Sequence, residues 1–61
     1  MNTYIKAQIL NMISMTRIFK QTCETAARKD DGVVTREEQK LLNEINKAAD
    51  EFVKRLERIN K

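Results

Sequence analysis

The chain has no histidine, no proline and no tryptophan, and its 61 residues include one glycine and one cysteine. Each gap removes a class of chemistry. General acid and base work near neutral pH leans on histidine, and a zinc centre of the usual kind takes several cysteine or histidine ligands, so a histidine-free chain with a lone Cys23 offers neither. A single glycine leaves no glycine-rich loop to cradle nucleotide phosphates. No catalytic residue, metal site or cofactor is expected, and the chain reads as non-enzymatic. Cys23 has no partner for an internal disulfide and no histidine to activate it, so it reads as a small buried hydrophobe in a cytoplasmic protein. Long apolar runs are missing too. The longest stretch without charge, Ala7 to Thr16, is half of the roughly 20 residues that a spanning helix needs and contains Gln8 and Asn11. Asn11, Ser14, Thr16 and Arg17 also interrupt the apolar residues after Lys6, which argues against a secretory leader. No membrane insertion is expected.

What is present is helix-forming composition on both sides of Gly32, the one helix breaker. The chain therefore reads as a single helical-hairpin domain over 1–61, with helix one at about 3–29, a turn at about 30–34 and helix two at about 35–60. Gly32 suits the left-handed position that ends many helices, and Arg28 and Lys29 set positive charge against the carbonyl end of helix one. Thr35-Arg36-Glu37-Glu38 has the spacing of a capping box, in which Thr35 and Glu38 each bond the backbone of the other and start helix two.

Apolar residues then recur in steps of three and four. Helix two carries Leu42, Ile45, Ala49, Phe52, Leu56 and Ile59; helix one carries Ile5, Ile9, Met12, Thr16, Phe19, Cys23 and Ala26. These are heptad seams of coiled-coil type. Folding about Gly32 sets Phe19 near Ile45, Thr16 near Ala49, Met12 near Phe52 and Ile9 near Leu56, with the two seams expected to face each other. Outside the seam, Lys47, Lys54 and Lys61 alternate with Asp50, Glu51 and Glu57 on a solvated face of helix two.

Helix one is apolar beyond what one partner helix covers. Leu10, Ile13, Met15 and Ile18 all lie outside its seam, and one flank, running Gln8, Asn11, Met15, Ile18, Thr22 and Thr25, has no charge at all. Apolar surface of that extent marks an interface. With no disulfide pair or metal to hold so short a chain, self-association is the remaining means of stabilisation. The expected architecture is an all-α, two-helix antiparallel hairpin that dimerises into a four-helix bundle. Leu10, Ile13, Met15 and Ile18 are the candidate residues for contact with the second copy or with a protein partner.

Charge is divided unevenly. Residues 1–20 hold Lys6, Arg17 and Lys20 and no acid, whereas residues 36–61 mix seven bases with six acids. Paired in a dimer, helix one would carry a mildly basic strip in which Lys6, Asn11, Arg17, Lys20 and Gln21 are candidate contacts to phosphates or base edges.

Two segments resemble known families. Asp31-Gly32-Val33-Val34-Thr35-Arg36-Glu37-Glu38 is similar to the second half of an EF-hand calcium loop, with glycine at the sharp turn and glutamate at the end. The first half departs from that pattern, because Ala27 and Lys29 stand where oxygen ligands belong. In length, hairpin layout and heptad seams the whole chain resembles the Rop plasmid copy-number regulators, helical hairpins that dimerise into four-helix bundles and bind paired RNA loops through their first helices. That resemblance implies a regulatory, RNA-binding role for Asn11, Arg17, Lys20 and Gln21, matched by face and not by motif. Secretion chaperones, phage regulators and antitoxin-like proteins share the layout, so it leaves two readings: a protein-binding regulator using the apolar face of helix one, and an RNA-binding regulator using its basic strip. A membrane-surface helix is a third, for which helix one is weakly cationic.

Overall fold

The computed structural model describes residues 2–29 and 32–61, which form two α-helices in contact and no strand. Asp30 and Asp31, part of the expected turn and of the EF-hand-like segment, lie outside the described residues. Helix α1 spans Thr3–Arg28, and helix α2 spans Arg36–Ile59. Local chemistry sets their ends. Asn2 caps α1 by accepting the Ile5 amide on its side-chain oxygen at 2.8 Å. At α2, Thr35 Oγ1 accepts the Glu38 amide and Glu38 Oε1 accepts the Thr35 amide, both at 3.1 Å, so the capping box is closed in both directions. Glu37 and Glu38 stand in the first turn of α2 and Arg58 in its last, signs that suit the helix dipole at each end. Gly32 takes a φ of 78°, and its amide donates to the Arg28 carbonyl at 3.0 Å.

The helices run antiparallel: Lys20 is paired with Asp50, while Met12 and Ile9, earlier in α1, line grooves with Phe52 and Leu56, later in α2. The side of each helix turned inward differs from the expected one. Ile13 and Val53, outside the heptad sets, are 5% and 7% exposed, whereas Met12, Phe19 and Phe52, inside those sets, remain 41%, 54% and 44% exposed. Buried or half-buried residues of α1 are Ile9, Ile13, Thr16, Lys20, Cys23 and Ala27; on α2 they are Glu38, Leu42, Ile45, Asn46, Ala49, Val53, Leu56 and Asn60. The hairpin thus uses three of the seven heptad positions of α1 and four of the six of α2, and completes its seam with the next residue along, Ile13 in place of Met12 and Val53 in place of Phe52.

The physical reason is the width of the apolar arc. A helix in a pair meets one neighbour, and a stripe wider than that contact must leave one edge uncovered. Here Ile13 and Val53 supply the inner edge, the small Thr16 and Ala49 lie at the middle, and the larger Met12, Phe19 and Phe52 are left on the open side. Thr16 brings no unpaired hydroxyl into the seam, because its Oγ1 donates to the Met12 carbonyl at 2.8 Å. Replacing Ile13 as an outward contact is a correction to the sequence reading: it belongs to the hairpin core, together with Leu42, Ala49 and Val53.

Two outcomes follow for stability. Thr35→Ala removes one half of the closed cap and lowers stability by about 1 kcal/mol, a fall of about 4–8 °C in Tm by circular dichroism at fixed protein concentration, while millimolar calcium leaves the wild-type Tm unmoved. Gly32→Ala is costly through backbone alone, since an added Cβ meets nothing within 4 Å; a loss of about 1 kcal/mol is expected, with Gly32→Asn milder.

Candidate functional site

The layer formed by the two helices is one helix thick, with principal extents of 46 × 17 × 8 Å. Its radius of gyration is 14.4 Å, against roughly 10.5 Å for a compact domain of this length. The accessible surface is 5259 Å², about 1,100 Å² more than a compact monomer of this mass exposes. The excess is not spread evenly.

One side of the hairpin carries an apolar groove between the helices. Met12, Met15, Thr16 and Phe19 of α1 line it with Ile45, Ala48, Ala49 and Phe52 of α2. Thr16 and Ala49 form its floor because they are the small, buried members of the seam, and Phe19 and Phe52 stand up at its walls. Towards the open end the same side continues through Ile5, Ile9, Met12 and Leu56, and Ile59 lies seven residues beyond Phe52 on the same flank of α2. Ile5, Met12, Phe19 and Ala26 repeat at intervals of seven along α1, as Ile45, Phe52 and Ile59 do along α2. A heptad repeat that continues on an uncovered face is the pattern of a helix with a further helical neighbour.

The other side is polar. Lys20 is half-turned into the seam and its ammonium pairs with Asp50. Arg17 lines one shallow cleft with Lys20, Gln21, Glu24 and Asn46, and another with Leu10, Ile13, Glu57, Asn60 and Lys61. The Asn60 side-chain oxygen is buried there without a hydrogen-bond partner.

The candidate contact residues are therefore dispersed. Met15 lines the apolar groove, Leu10 lies on the opposite, polar side, and Ile13 is buried between the helices. Ile18 is 60% exposed and points away from α2, nine residues from Ile9 and two from Thr16, which face it. Phe19 and Phe52, assigned by sequence to the hairpin seam, stand exposed at the groove walls, while Ile45 is half-buried as that assignment has it.

Nor do the candidate nucleic-acid contacts converge. Lys6 and Arg17, eleven residues apart, share one flank of α1. Asn11 is six residues from Arg17, roughly 120° around the helix, and so falls on the uncharged flank. Lys20 is engaged by Asp50, and Glu24 and Glu57 share the clefts that Arg17 lines. Acids of α2 and of α1 itself thus interrupt what the α1 sequence alone presents as an unopposed basic strip.

Among the described residues no group of three or more histidine, cysteine, aspartate or glutamate side chains could hold a metal ion, and no helix is long and apolar enough to cross a membrane. Comparison with protein-family models, with curated proteins and with solved structures finds no match to this chain.

Proposed function

We propose that the protein is a non-enzymatic interaction module in which two hairpins close, groove to groove, into a four-helix bundle, leaving the outer face of α1 to a protein partner. The observation that carries this reading is the groove walled by Met12, Phe19, Ile45 and Phe52, which leaves large apolar side chains in water along both helices. The excess of about 1,100 Å² per chain is of the size that specific interfaces bury on each partner, about 800 Å². A two-fold interface needs one apolar patch that can meet its own copy, and a groove running along both helices offers such a patch. Closing the groove would leave Ile18 on the far side of α1 as the large hydrophobic residue of an otherwise polar, uncharged stripe with Asn11 and Thr25. That stripe is the candidate contact for a protein partner.

The RNA reading has less support. Nucleic-acid affinity comes largely from cations free to neutralise phosphates, and Lys20 has Asp50 while Arg17 has acids on both sides.

Light scattering on the wild type should give twice the chain mass. Phe52→Asp would bury an unpaired carboxylate in the groove, at a cost of several kcal/mol, and should weaken association at least 100-fold. Ile18→Asp, on the outer face, should leave the mass unchanged. A monomeric wild type, or equal sensitivity at both positions, would refute the assignment of the groove. For nucleic acid, titration with stem-loop RNA at low and physiological salt should give no saturable binding; binding that weakens steeply with salt and is lost in Lys6→Gln/Arg17→Gln would reverse the choice between partners.

A further inference from the structure

Two identical faces can meet about a two-fold axis in two ways. With the axis along the helices, both turns lie at one end and α1 of each copy rests on α2 of the other. With the axis across the helices, the turns lie at opposite ends and each helix rests on its own counterpart. The charges around the groove distinguish the two.

At the edge of the groove, α1 presents Gln8, Met15 and Thr22, without a charge, whereas the flank of α2 carries Glu44, Glu51, Arg55 and Arg58. Arg55 and Glu51 lie beside Phe52 and Ala48 at the groove edge. Resting α1 on α2 would cover those charges with a surface that has no charge to return. Resting α2 on α2 sets them against their own set in reverse order. With the axis through the Thr16/Ala49 layer, Glu44 is five residues before Ala49 and Arg55 six after it, so Glu44 of each copy comes within one residue's rise, about 1.5 Å, of level with Arg55 of the other. The α1 flanks then meet as two uncharged surfaces.

The long-range field favours the same choice. At the open end, residues 2–10 and 51–61, Lys6, Lys54, Arg55, Arg58 and Lys61 outnumber Glu51 and Glu57 for a net charge of +3; residues 22–29 and 32–44, towards the turn, hold four acids and four bases, which cancel. Packed helices lie about 8–10 Å apart, close to the Debye length of about 8 Å at physiological salt, so charges across such a joint are felt. Turns at one end would put two +3 ends together. Turns at opposite ends put each +3 end beside a segment of no net charge.

We propose that the second copy docks antiparallel, α1 on α1 and α2 on α2, with the turn of each hairpin at the open end of the other. This rests on the dimer reading above and adds its orientation. The test is a distance. A nitroxide on Thr3→Cys in a Cys23→Ala chain labels the start of α1, whose 26 residues span about 39 Å. Pulsed electron paramagnetic resonance should give a separation of roughly 40 Å, while a separation of roughly 20 Å or less would overturn the orientation. Thr25→Cys, near the other end of α1, provides the same discrimination if the first label disturbs the Asn2 cap. Light scattering on the labelled chain separates the two claims: a monomer defeats the dimer and the orientation together, and a dimer with a short distance defeats the orientation alone. In unlabelled protein, Glu44→Arg should weaken association several-fold and Glu44→Arg/Arg55→Glu should restore it to within about twofold of wild type. Failure of the second substitution to restore it would also overturn the proposal.

Discussion

Two helices joined by a short turn share one line of contact, and every other feature of this molecule follows from having more apolar surface than that line covers. Ile13, Val53, Leu42 and Ala49 fill the line. Met12, Phe19 and Phe52 lie beside it, on one side of the layer and not on both. The asymmetry matters more than the amount. Apolar side chains scattered around a hairpin would invite unspecific aggregation, whereas a groove with a small-residue floor and aromatic walls has a shape that a limited set of surfaces can fill.

The ends of the elements were legible in the sequence because they depend on neighbours a few residues away. Thr35 and Glu38 close their cap through bonds spanning three residues, and Gly32 takes a positive φ that other residues adopt at a cost. Six residues of the expected central layers, Met12, Thr16, Phe19, Ile45, Ala49 and Phe52, do line one groove. The facing was not legible. Periodicity says which residues share a side of a helix but not which neighbour that side meets, and the step from Met12 to Ile13 or from Phe52 to Val53 is about 100° of rotation. An a/d repeat is shared between hairpin seam and open face here, and a sequence read against a single partner assigns all of it to the seam.

The candidate contacts suffered for the same reason. Leu10, Ile13, Met15 and Ile18 were chosen as apolar residues outside the expected seam, and once the seam rotates they point in different directions. Lys20 could not be read from its own helix at all, because Asp50, thirty residues later, engages it only through the hairpin register. A strip of charge on one helix becomes a property of two helices as soon as they pack. Exposed pairs of this kind contribute about 0.2–1 kcal/mol to stability, so the larger consequence of Lys20–Asp50 is electrostatic: it sets an acid of α2 beside one of the three cations of the α1 strip.

The two helices divide the work of recognition. α2 is built as an amphipathic helix whose surface away from the seam and the groove is charged, and α1 is built as a helix with little charge and few strong preferences outside its seam. If both flanks were uncharged, two hairpins could meet in either orientation with similar energy; if both were charged, either orientation would bury ions. One uncharged and one charged flank make the two arrangements unequal, because uncharged surface is matched by itself and Glu44 of each α2 comes beside Arg55 of the other when the helices run in opposite directions. Shape then supplies the attraction, through Phe19 and Phe52, and charge supplies the choice.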